Sequence, residues 1–155
     1  MHIKLFGESV ALGDVERATV FEFFHFDTPV IGIAGAFAHS PDNHYVVVLT
    51  DHEIPMVDAK TVGLKTFVFR YPQASFNIKG RPEIPHAAPI SPGTVCVVGN
   101  NVYLRNGARL YINLHTGVMT ESVEPGPVSC FGSWTIACDQ SDKSPKLVEF
   151  GSSGD

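Results

Sequence analysis

The sequence predicts an all-β fold: a single-domain antiparallel barrel or sandwich of about ten short strands with little helix. Three observations point that way. Apolar and polar residues alternate with a period near two along much of the chain, β-branched and aromatic residues fill those segments, and no stretch longer than about ten residues combines helical spacing with caps.

Taken in order, Asp14 is placed to cap one helical turn at 14–18 before the chain extends into a first strand at 18–26. The glycines of Gly32-Ile33-Ala34-Gly35 lead into no helix and lack a phosphate-loop spacing, so they are read as sites of close backbone packing or a bend. Strands follow at 44–50, 65–71 and 75–79. In the second of these, alternation puts Lys65, Phe67, Phe69 and Tyr71 on one face, taken as the core face, and Thr66, Val68 and Arg70 on the other.

Residues 81–93 carry prolines at 82, 85, 89 and 92, which forbid a central strand and favour an extended crossing segment. Beyond it, strands at 94–98, 101–105, 109–114 and 118–123 are joined by Gly99-Asn100-Asn101, Asn106-Gly107-Ala108 and His115-Thr116-Gly117, where Gly and Asn tolerate positive φ. Residues 94–123 therefore read as a four-stranded antiparallel meander. A strand at 129–138, with Gly132 as a candidate bulge, and one at 147–150 complete residues 1–150 as one domain, and 151–155 has the composition of a flexible tail.

At 155 residues and 16.8 kDa the chain has the size of one domain that needs no disulfide or metal to hold its core. Hydrophobic residues make up 44% and charged residues only 17%, against about 25% charged in an average domain. That balance excludes disorder and suggests apolar surface covered by a second subunit, so a homo-oligomer is expected. The amino-terminal apolar run is broken by Gly7 and Glu8, and no apolar stretch approaches the roughly 20 residues of a membrane helix. A cytoplasmic protein with no membrane contact is expected. Cys96, Cys130 and Cys138 lack metal-site spacing and are read as reduced, buried thiols.

Charge is segregated. Residues 60–110 hold seven basic side chains against one acidic, while the flanking blocks are acidic and the net charge is −5. Net acidity argues against wholesale nucleic-acid binding, yet the basic block can form a local positive surface. Arg105 and Arg109 bracket the Asn106-Gly107-Ala108 turn, and with Arg70 and Lys79 they form a candidate surface for an anionic small molecule or an acidic protein partner.

Five of seven histidines lie between 25 and 86, with acidic neighbours, which raises an alternative: a small metal-dependent β-barrel enzyme. Its ligands to a divalent ion would come from His25, Asp27, His39, His44 and His52, with His25 and Asp27 projecting from one face of a strand. Otherwise these side chains cap turns and bond to backbone. No nucleophile elbow, acid/base pair or cofactor motif is readable, so the expected function is a non-catalytic binding or assembly module without a cofactor.

Overall fold

The computed structural model describes residues 8–25, 27–83, 90–138 and 146–151. Within them the chain is all-β, with fourteen strands in two sheets. The sheets face each other around a shared core, as in a sandwich, and no barrel closes.

The first half builds one side of the large sheet. Strand β1 (Glu8–Ala11) is its edge, followed by β6 (Phe67–Tyr71), β2 (Val20–His25) and the long β3 (Thr28–Phe37); β4 (Ser40–Val48) and β5 (Met56–Asp58) branch from the other side of β3. Between β1 and β2 a 3-10 turn spans Leu12–Asp14, before the expected position at 14–18, and Ala11 rather than Asp14 stands at its N-cap. A short helix, α1 (Ala59–Val62), follows β5, and Asp58 caps it by accepting the backbone N–H of Lys60 at 2.9 Å.

The second half continues the sheet through β8 (Val95–Val98), β9 (Asn101–Arg105), β10 (Tyr111–Asn113) and β11 (Val118–Thr120), which form the expected antiparallel meander. Strand β12 (Val128–Phe131) adds to β8, and Gly132 separates it from β13 (Ser133–Cys138). That strand lies between β7 (Ala74–Lys79) and β14 (Lys146–Phe150) in the smaller sheet. The large sheet is not wholly antiparallel: β11 runs parallel to β3, pairing Val118 with Ala36 and Met119 with Phe37. Here β3 outruns its hairpin partner β2, and the freed edge is taken by the last meander strand.

Side chains of β3 serve two cores. Ile31 and Ile33 join Val47, Leu49, Leu104, Ile112, Trp134, Ile136 and Val148 between the sheets, while Ala34 joins Phe21, Phe23, Val46, Ala59 and Val68 on the opposite face. Both glycines of the Gly32–Gly35 run are close-packed, as expected: a Cβ would stand 2.7 Å from Val46 Cγ1 at Gly32 and 2.8 Å from Ile112 Cδ1 at Gly35. Trp134 anchors the smaller sheet. Its ring stacks between Phe76, at 4.8 Å, and Phe150, at 5.0 Å, and its Nε1 donates to the Gly93 carbonyl at 2.8 Å.

The face assignment in β6 is reversed. Val68 is fully buried, Phe67 is 74% exposed and Phe69 is half-buried. The core beneath β6 is made by Val10, Phe21 and Phe23, which lie on the Val68 side, and the aromatic side meets the inter-sheet core only at Tyr71. The proline-rich crossing at 81–93 falls partly outside the described residues; within them Glu83 bridges to Cys130, and its N–H donates to the Cys130 carbonyl at 2.6 Å.

Candidate functional site

On the Val68 side of the large sheet, packing is incomplete. Strands β2 to β5 supply a floor, α1 and the loop at 49–55 supply walls, and between them lies a cavity of about 490 Å³. Phe23, Pro29, Val30, Val48, Pro55, Val57 and Val62 make it mainly apolar; His25, Thr28, Thr50, Asp51 and His52 bring polar groups. Register explains why these side chains converge. Phe23 pairs with Val30, Gly32 with Val48, and Val46 with Val57, so alternation puts Phe23, Val30, Val48 and Val57 on one face of four adjacent strands.

The wall at 49–55 is held in place by backbone. Ile54, at φ 47°, is buried, and its carbonyl accepts the Gly107 N–H at 2.8 Å. Gly107 is required there, since a Cβ would meet the Glu53 carbonyl oxygen at 2.5 Å. Asn106 orders this β9–β10 loop: its buried Oδ1 accepts the N–H groups of Ala108 at 2.9 Å and Leu110 at 3.0 Å. Asp51 likewise accepts the Glu53 N–H at 2.9 Å.

The five candidate metal ligands separate. His25 ends β2 and His52 stands 88% exposed beside Asp51, and both line the cavity. The spacing places Asp27 on one strand face with His25, but Asp27 sits outside the strand, at φ 62° in the tight β2–β3 turn, across which His25 pairs with Thr28. A tight hairpin calls for positive φ, which Asp tolerates, and the turn ends the strand before Asp27. His39 lies in the β3–β4 turn with its ring 5.3 Å from that of Phe37. His44, on β4, lines a second hollow of about 510 Å³ with Glu16, Arg17, Pro41, Asp42 and Thr116, and its Nδ1 is buried without a hydrogen-bond partner among the described residues. Among the described residues no three His, Cys, Asp or Glu side chains gather closely enough to hold a metal ion.

The basic candidates are spread across the sheets, and two hold partners within the chain. Arg70 pairs with Glu8 across β1 and β6, with Nη2 to Oε2 at 2.7 Å and Nε to Oε2 at 2.8 Å. Arg105 does meet Arg109, but through backbone: its Nη1 donates to the Arg109 carbonyl at 2.7 Å, and its guanidinium lies over the Tyr111 ring at 4.7 Å. Arg109 is exposed, at φ 64°, and Lys79 is exposed at the end of β7.

No protein-family model, curated protein or solved structure matches the chain. Its chemistry therefore follows from geometry alone. Of the two hollows, the second is bordered by Glu16, Arg17 and Asp42, groups that hold water strongly, whereas the first is mostly apolar and releases water at little cost. A volume near 490 Å³ with a few polar groups to one side suits a small organic molecule.

Proposed function

We propose that this protein is a non-catalytic binding module whose β2–β5 cavity holds a small, largely apolar molecule bearing one hydrogen-bonding group. The observation that carries this reading is the apolar volume of about 490 Å³ left in the face that the second core otherwise fills. Burying apolar ligand surface there supplies the affinity, about 25 cal/mol per Å², and His25, Asp51 or His52 orients the polar group. Arg70 and Arg105 already hold partners, so the cavity supports the binding reading better than the basic surface does. The buried Cys96 and Cys130, which face each other as thiols, support an intracellular setting.

Calorimetric titration with indole, an apolar ring with one N–H donor, tests the proposal. Binding to the parent protein and its loss in Val57→Trp, which fills the cavity from β5, is the expected pair of results. No heat with the parent, or equal binding by both proteins, overturns it.

A second observation favours self-assembly. Phe24 and Phe67 are 62% and 74% exposed, and continuing the β2–β6 register by two residues sets them opposite each other on one face. Apolar side chains so placed are covered when a second copy packs on them. Sedimentation velocity should show the parent chain as an oligomer and Phe24→Ser/Phe67→Ser as a monomer; a monomeric parent refutes this part.

A further inference from the structure

Cys96 and Cys130 are 34 positions apart in sequence and directly opposite each other in space. They are register partners on β8 and β12, both buried, with sulfur atoms 3.6 Å apart. The hydrogen-bond pattern of the strands shows which kind of partners they are. The Cys130 carbonyl accepts from Glu83, away from β8. On the other side, Arg105 N donates to the Thr94 carbonyl, and alternation along β8 then turns the backbone groups of Cys96 toward β9, away from β12. Cys96 and Cys130 thus form a non-hydrogen-bonded cross-strand pair, the arrangement in which facing side chains come closest.

The geometry points to a reversible cross-strand disulfide between Cys96 and Cys130 as an oxidative modification site of this protein. Facing residues of an antiparallel pair have Cα separations of about 4.5–5.5 Å, within the range a disulfide spans, so the sulfurs can close by side-chain rotation without moving either strand. The oxidant is a low-molecular-weight disulfide. One cysteine, as thiolate, attacks a sulfur of the reagent and expels one reagent thiol; the second, as thiolate, attacks the resulting mixed disulfide and expels the other. The cysteines lose two electrons and two protons, and the reagent is reduced to two thiols.

Access sets the rate. Burial and the neighbouring Cys130 thiol push the Cys96 thiol up to about 12, so the closed sheet keeps it protonated and shielded. Strand β12 ends the sheet path, and among the described residues its far side meets only the Glu83 bridge, so separation of β12 from β8 is the opening that exposes both sulfurs. Cys138, on β13 of the smaller sheet, is not a partner in this register.

The test is incubation of the full chain with glutathione disulfide, with and without a low urea concentration, followed by alkylation, intact mass and peptide mapping. The expected product has lost two hydrogens, links the peptides of Cys96 and Cys130, leaves Cys138 alkylated and reverts with dithiothreitol. Cys138→Ser should form it at the parent rate, while Cys130→Ser should stop at a mixed disulfide or free thiols. The oxidised chain should melt on the order of 5 °C higher, because the closed loop restricts the unfolded chain. Three free thiols after oxidation in urea, a link through Cys138, or a persistent mixed disulfide on the parent overturns the inference.

Discussion

Replacing Trp134, the chain's one tryptophan, measures how strongly the smaller sheet is bound to the larger one. Truncation to Ala removes a fully buried ring, and such changes cost about 3–5 kcal/mol in transfer and cavity terms. It also ends two stacked contacts, at 4.8 Å to Phe76 and 5.0 Å to Phe150, and takes the donor from the Gly93 carbonyl. Such contacts contribute about 0.5–1.5 kcal/mol each and an unpaired buried acceptor costs about 1–3 kcal/mol, so the loss lies at the upper end, near 5 kcal/mol. Domains of this kind hold about 5–15 kcal/mol in all, which makes the Ala variant marginal. Trp134→Phe keeps an aromatic ring between the stacking partners and loses the N–H, and should cost about 2 kcal/mol. Urea unfolding followed by far-ultraviolet circular dichroism compares the three proteins. A Trp134→Ala loss below about 1.5 kcal/mol would refute the packing argument, since a ring so placed cannot be removed that cheaply.

Other consequences follow from single contacts. Gly107→Ala forces a Cβ against the Glu53 carbonyl and should cost about 1–3 kcal/mol by urea unfolding, weakening indole binding as well because the 49–55 wall shifts. Arg70→Ala should cost no more than about 1 kcal/mol at low salt and less at high salt, because its pair with Glu8 is partly exposed, at 33% and 58%. The Cys96 thiol is raised from 9.0 to about 12, so the folded state holds that proton more tightly than the unfolded chain. Its contribution is fully present below pH 9 and is lost as pH rises toward 12, with a slope approaching 1.4 kcal/mol per pH unit. Tyr71 and Tyr111, both raised by burial, act in the same direction, so the check is a shallower alkaline decline in Cys96→Ala than in the parent.

Sequence pattern was most legible where a strand has one buried face and a turn with Gly or Asn at each end, as in the meander from Val95 to Thr120. It failed for β3, whose Ile31 and Ile33 enter one core while Ala34 enters the other; a strand buried on both faces shows a continuous apolar run instead of alternation. Strands β1 and β5, at four and three residues, are too short to show a period. In β6 the alternation was visible but its sense was not, since nothing in Phe67-Val68-Phe69 tells which face the rest of the chain covers.

The candidate site was legible only as scattered members. His25 and His52 stood out as histidines with acidic neighbours, yet their joint placement depends on β4 pairing with β3 and β5 with β4, a topology that no local pattern reveals. Val30, Val48 and Val57 carry no signal apart from that of ordinary core valines. The facing of Cys96 and Cys130 was hidden for the same reason: it requires β12 to add beside β8 in one particular register.

Methyl chemical-shift mapping during an indole titration tests the central claim most directly. The account predicts saturable shifts confined to Val30, Val48, Val57 and Val62, the cavity valines, with the inter-sheet methyls of Val47, Ile112 and Ile136 unmoved. Shifts centred instead on the hollow beside Thr116, or no saturable shift at any methyl, would contradict a ligand site between β2–β5 and α1.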